Sequence, residues 1–161
     1  MTVAEYNKSV DDFSDGIYRF ILKNINNNEK AKDVVQDTYE KLWTKVSEVS
    51  PEKVRSYLFS TAYHTMIDLL RKEKRMTGFE TVKHDMQTPG NHYNGLSEIL
   101  EEAVRKLPED QRSVIMLRDY EGYSYEEIST ITGLTESQVK VYIFRGRMFL
   151  KKYLGSIETV I

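Results

Sequence analysis

Cysteine is absent from the 161 residues, and histidine and proline occur only three times each. The lack of thiols excludes disulfides, thiolate metal sites and a cysteine nucleophile, and His64, His84 and His92 are too scattered to indicate a zinc site. No apolar run approaches the roughly 18 residues of a membrane-spanning helix, and the N-terminus lacks the pattern of a secretion signal. We therefore predict a cytoplasmic protein without membrane insertion, with no metal and no cofactor.

A strong net charge is also missing, since the chain carries only −2. The basic residues are nevertheless clustered: Lys140–Lys152 contains five lysines and arginines and no acid, and Arg71–Arg75 contains four against one glutamate. Salt screens charges beyond about 8–10 Å, so phosphates respond to such local clusters rather than to the net charge. The two stretches are candidate nucleic-acid surfaces, although a solvated mosaic of charges is the simpler alternative.

Apolar residues recur with helical spacing along most of the chain, and no stretch alternates strictly enough to indicate a strand. The pattern predicts an all-α fold with two small helical domains, residues 1–75 and 97–161, joined by a flexible linker over residues 76–96. Ser50 before Pro51 is typical of a helix start. Helices are predicted at residues 10–24, 29–46, 51–74, 97–106 and 108–120.

Two further helix starts lie eleven residues apart in the second domain. Ser124 with Glu127, and Thr135 with Gln138, have the spacing of capping boxes, and Gly133 lies between them. A short helix, a tight turn and a second helix together predict a helix-turn-helix that binds duplex DNA. An αα-hairpin with a solvated basic face is the generic alternative. The predicted DNA-contacting residues of the second helix are Ser137, Gln138, Lys140, Val141, Phe144, Arg145, Arg147 and Lys151.

Three blocks of sequence resemble the RNA polymerase sigma factors of the sigma-70 family, and most of all its small extracytoplasmic-function (ECF) group. Leu107–Leu154 closely resembles the family's C-terminal DNA-binding domain. Ala31–Trp43 is similar to its polymerase-binding helix, and Val54–Arg75 is similar to its promoter-melting helix. The resemblance implies a sigma factor that directs core RNA polymerase to promoters, reading the −35 element as duplex and melting the −10 element.

The resemblance also implies partners and site residues in the first domain. The partners are core RNA polymerase, promoter DNA and an anti-sigma factor. His64 stands where the family usually has an asparagine that lines the pocket for a captured base, and Val141 and Tyr142 also depart from the family pattern, so no target sequence is transferred. The implied polymerase-binding residues are Asp33, Gln36, Asp37 and Glu40. The implied −10 contacts are His64, Asp68, Arg71, Lys72, Lys74 and Arg75.

Three other functions compete with this interpretation. A helix-turn-helix regulator that is not a polymerase subunit would not need the block Ala31–Trp43. A nucleic-acid enzyme such as a small recombinase needs clustered cations or metal-binding carboxylates, and Ser60 and Asp68 have no such neighbours in the sequence. A helical adaptor would not bind DNA in a salt-sensitive way. We predict no catalytic residue and no enzymatic activity.

Overall fold

The structure, a computed structural model, describes residues 1–77 and 95–158, and in this part of the chain every regular element is helical. The chain divides into two units, Met1–Gln87 and Thr88–Ile161. The all-α prediction is therefore confirmed. Most of the predicted linker, with His84 and His92, lies outside the described residues.

Three long helices form the first unit: α1 (Val3–Ile25), α2 (Asn28–Thr44) and α3 (Val54–Thr77), with a short 3₁₀ turn at Pro51–Lys53. Each helix packs against the other two. Burying their apolar faces removes hydrocarbon from water and stabilises the bundle. The largest fully buried side chains of this unit are Ile17, Phe20, Ile21, Leu42, Leu58, Phe59 and Met66.

Two of the predicted helix starts in this unit are wrong. Helix α1 begins seven residues earlier than expected, because Thr2 and Glu5 form a capping box that satisfies its first amides. Ser50 makes no capping hydrogen bond, and the proline that follows it opens a 3₁₀ turn instead of α3. Helix α3 consequently begins at Val54.

The second unit contains α4 (Gly95–Arg105), α5 (Glu109–Ile115), α6 (Tyr125–Thr132) and α7 (Glu136–Glu158). The predicted single helix over residues 108–120 is only partly correct, because α5 widens into a π-helical turn at Met116–Tyr120. Helix α7 packs against α4, α5 and α6. The core of this unit is formed by Ala103, Val104, Leu107, Val114, Ile115, Met116, Leu117, Tyr123, Ile128, Ile131, Val139 and Ile143.

A glycine on α7 allows this helix to approach α5 closely. A Cβ atom placed on Gly146 would lie 2.9 Å from Cγ1 of Ile115, which is shorter than van der Waals contact. Gly146 and Ile115 are both buried. The glycine thus sets how closely the long helix α7 approaches the rest of its unit.

Candidate nucleic-acid interface

Both predicted capping boxes are present and define the helix-turn-helix. The Ser124 hydroxyl accepts a hydrogen bond from the Glu127 amide at 3.1 Å, and the Glu127 carboxylate accepts one from the Ser124 amide at 2.8 Å. Gln138 Oε1 accepts from the Thr135 amide at 2.9 Å, while Thr135 Oγ1 accepts from the Gln138 amide at 3.1 Å. The starts of α6 and α7 are therefore fixed by their own side chains.

The turn between α6 and α7 is held by side-chain hydroxyls that the sequence did not identify. Gly133 adopts a φ of 82°, a conformation that favours glycine. The buried hydroxyl of Thr132 donates to the Ile128 carbonyl at 2.8 Å and accepts from the Leu134 amide at 3.2 Å. Ser129 Oγ donates to the Leu134 carbonyl at 2.6 Å. Thr132 therefore takes part in the turn itself.

One face of α7 packs on α6 and the other faces solvent. Val139 and Ile143 are buried with Ile128 and Ile131, and Leu134 is half-buried. Helix α6 thus helps to orient α7, which also packs on α4 and α5. All eight residues predicted to contact DNA are exposed: Ser137, Gln138, Lys140, Val141, Phe144, Arg145, Arg147 and Lys151.

The exposed face of α7 includes large apolar side chains. Val141 is 42 % exposed, Phe144 65 % and Met148 54 %. Met148 was not among the predicted contacts, although its spacing from the other two already places it on their face of the helix. Contiguous exposed apolar groups can mark an interaction site, so this row is a candidate for one.

Two cations of this helix already have partners within their own unit. Arg147 Nη2 lies 2.6 Å from Oδ1 of Asp119, and this hydrogen bond is the main reason why the pKa of Arg147 is raised. Nζ of Lys140 lies 5.6 Å from the centre of the Tyr125 ring, and Cζ of Arg118 lies 4.6 Å from the same ring centre. The charge of Arg147 is therefore partly compensated.

In the first unit, the predicted polar face of α2 is exposed. Gln36 Nε2 lies 3.5 Å from Glu40 Oε2, so the amide and the carboxylate are adjacent on this face. Trp43, which was not predicted as a contact, is 51 % exposed and packs edge-on against Tyr6, with 5.1 Å between ring centres. The four residues predicted to bind polymerase, Asp33, Gln36, Asp37 and Glu40, are all exposed.

The predicted contact residues of α3 are all exposed as well: His64, Asp68, Arg71, Lys72, Lys74 and Arg75. Helical spacing places all of them except Lys74 on one face. His64 packs edge-on against Tyr63, with 5.2 Å between ring centres. The one acid within the basic end, Glu73, is bonded to Lys30, which leaves the cations of this end in excess.

Neither a metal site nor a membrane span is found in the described ranges. No group of three or more His, Asp or Glu side chains there is arranged to hold a metal ion. None of the helices over residues 1–77 and 95–158 is both long and apolar enough to cross a bilayer.

Comparison with known proteins finds two family matches that together span most of the chain. Residues 10–76 match the family described as Sigma-70 region 2, and residues 97–150 match Sigma-70, region 4. RNA polymerase sigma factor SigV of Bacillus subtilis (strain 168) is 30% identical over 145 residues, which are 88% of this chain and 86% of that protein. ECF RNA polymerase sigma factor SigM of the same organism is 28% identical over 161 residues, 94% of each chain.

Two solved structures are similar in fold. The sigma factor RpoE from Bartonella quintana, in complex with the anti-sigma factor NepR, has a TM-score of 0.83 and 23% identity, over 95% of this chain and 98% of that chain. CnrH, in complex with the cytosolic domain of CnrY, has a TM-score of 0.68 and 23% identity, over 94% of this chain and 88% of that chain.

Proposed function

The chain belongs to the sigma-70 family of RNA polymerase sigma factors, in its ECF group, and directs core RNA polymerase to promoters; on that basis we propose which surfaces make the contacts. We assign binding of core polymerase and the −10 element to residues 1–75, and binding of the −35 element to residues 97–161. A linker over residues 76–96 joins the two domains. We assign no catalytic residue, and we place the protein in the cytoplasm.

Helix α7 enters the major groove of the −35 duplex. The observation that supports this best is its exposed, acid-free basic face, oriented by two capping boxes and a buried turn. In helix-turn-helix proteins the N-terminal residues of the second helix meet base edges, while long cations bind phosphates. The proposed contacts are Ser137, Gln138, Lys140, Val141, Phe144, Arg145, Arg147 and Lys151.

The exposed face of α3 holds the −10 strand as it separates from its complement. His64 has a ring on which an unstacked base can stack and nitrogens that can hydrogen-bond to it, which offsets part of the few kcal/mol that unstacking costs. The cations at the end of α3 bind the backbone of that strand. The proposed contacts are His64, Asp68, Arg71, Lys72, Lys74 and Arg75.

The polar and acidic face of α2 binds core polymerase through Asp33, Gln36, Asp37 and Glu40. Trp43 extends this face with an exposed apolar ring, and aromatic residues are enriched at the centres of protein interfaces. An anti-sigma factor is a further proposed partner, because both similar structures described above were solved with such a protein or with a partner domain.

Association with core polymerase separates this function from that of a helix-turn-helix regulator. Purified chain is mixed with core polymerase, and the dissociation constant is measured for the unchanged chain, for Asp37→Lys with Glu40→Lys, and for Asp11→Lys with Asp12→Lys as a control on α1. We expect a loss of at least tenfold for the α2 variant alone. Failure of the unchanged chain to bind core polymerase would favour the regulator.

A further inference from the structure

The exposed face of α7 carries a row of apolar side chains between its basic residues. With 3.6 residues per turn, Val141, Phe144 and Met148 fall in one row along the middle of that face. These are the three large apolar side chains at this surface that are at least 42 % exposed. We call this row the apolar ridge.

Cations border the apolar ridge on both sides. Lys140 and Lys151 are eleven residues apart and therefore lie on one side of the ridge, while Arg145 and Lys152, seven apart, lie on the other. All four are exposed, and no acid occurs between the first and the last of them. A polyanion with a partly apolar floor between two charged walls is the complementary surface.

The major groove of DNA has that form. It is about 12 Å wide, phosphates line both of its edges, and the C5-methyl group of thymine is the apolar feature on its floor. A helix seated with its ridge inward would bring its two rows of cations towards the two phosphate backbones. A protein partner would need acids on both sides of an apolar strip, which makes duplex DNA the simpler occupant.

We propose that the apolar ridge reads thymine methyl groups in the −35 element, with Val141 and Phe144 as the residues that set this specificity. The inference rests on the proposed function of α7 and deepens it. Lys140 and Arg145, on the two sides of the ridge, then lie towards the phosphate backbones. The element recognised by this chain contains at least one thymine whose methyl group contributes to affinity.

Uracil tests the proposal, because it pairs as thymine does and lacks only the methyl group. Random-sequence duplexes are selected on holoenzyme assembled from the full chain and core polymerase. The enriched duplex is then synthesised with thymine or with uracil in its upstream segment, while the melted segment keeps thymine. Burial of one methyl group corresponds to roughly fourfold in affinity, so we expect the uracil form to bind about fourfold more weakly for each methyl contacted.

Two variants and one control assign the effect to the ridge. Val141→Ser and Phe144→Ser should each reduce the preference for thymine over uracil, and neither should unfold the chain, because both side chains are exposed. Val3→Ser, at an exposed valine of α1, should leave the preference unchanged. Lys151→Ala should weaken binding of both duplexes equally.

Several results would overturn the inference. An enriched segment without thymine, equal binding of the two forms, or an unchanged preference in both ridge variants would mean that the apolar ridge does not read thymine methyl groups. If no sequence is enriched at all, the proposed function of α7 fails, and the inference fails with it. The two failures are therefore distinguishable.

Discussion

At the scale of single residues, the cations of α7 differ in how free they are to bind phosphate. Arg147 is held by Asp119 through two hydrogen bonds, at 2.6 Å and 3.3 Å, whereas Lys151 is exposed at the far end of the same face. The sequence predicted both as DNA contacts but did not distinguish them, because Asp119 precedes Arg147 by 28 residues and only the fold brings them together. Two cations that look equivalent in the sequence therefore differ in how available they are to bind phosphate.

Replacing Lys151 by alanine should lower affinity for every duplex by a similar factor. One fewer phosphate contact releases one fewer counterion, so the slope of log K against log salt should become shallower by about 0.9. Fluorescence anisotropy of labelled duplexes with holoenzyme at several salt concentrations measures the slope. Lys8→Ala, at an exposed lysine of α1 paired with Asp12, is the control. An unchanged slope for Lys151→Ala would remove this lysine from the interface.

Replacing Asp119 by alanine should have the opposite effect on binding. Freed from its carboxylate, Arg147 becomes available to phosphate, so affinity should rise and the salt slope should steepen by up to about one contact. The pair is partly exposed, so the free energy of unfolding should fall by no more than about 1 kcal/mol. The same titration and a urea unfolding curve check both values. A decrease in affinity would show that Asp119 instead orients Arg147 for binding.

At the scale of helices, the sequence correctly predicted features that depend on residues close together in the chain. The capping boxes at Ser124 and Thr135 were correctly identified, since three-residue spacing decides them. The π-helical turn at Met116–Tyr120 and the hydroxyl bonds of Thr132 were not predicted, because they depend on how α5 and α6 fit their neighbours. The start of α1 was missed although its capping box is a local signal, because apolar periodicity begins only later in that helix.

The crossing of α5 and α7 allows a stability prediction at this scale. Gly146→Ala should lower the free energy of unfolding by up to about 2 kcal/mol, because overpacking against Ile115 costs about 1–3 kcal/mol and the gain in helix propensity returns about 1. Gly155→Ala on the same helix is the matched control, since its Cβ would meet nothing within 4 Å. It should stabilise by up to about 1 kcal/mol.

Urea unfolding followed by circular dichroism measures both alanine variants. Their order is the decisive result, because the two substitutions share the same gain in helix propensity and differ in the space around the new methyl group. A Gly146→Ala chain as stable as Gly155→Ala would mean that Ile115 moves aside without cost.

At the scale of the whole molecule, the net charge of −2 is the sum of separate acidic and basic surfaces. The acidic face of α2 and the basic faces of α3 and α7 lie on different helices, and in the proposed function the acidic face binds polymerase while the basic faces bind promoter DNA. Clustering along the sequence predicted the two basic surfaces, and the family resemblance implied a partner for each of the three faces. The place of Trp43 beside the α2 face was not predicted, because an isolated tryptophan in an amphipathic helix is usually buried.

The single tryptophan, Trp43, allows a test of the proposed polymerase interface. In chain labelled with 5-fluorotryptophan, the one ¹⁹F resonance should shift and broaden on addition of core polymerase, because the proposed interface would bury Trp43, which is 51 % exposed in the free chain. Glu40→Lys should require a higher polymerase concentration for the same change. A resonance that stays at its free position in a complex isolated by gel filtration would place the interface elsewhere.

Run-off transcription tests the central claim most directly. Transcription is measured on duplexes selected on the holoenzyme. Three reactions are compared: core polymerase alone, core polymerase with the chain, and core polymerase with a Lys140→Ala, Arg145→Ala double variant. We predict a discrete transcript only when the chain is present, and a loss of at least tenfold with the variant at constant polymerase binding. Equal transcription with and without the chain, or an undiminished transcript from the variant, would contradict the account.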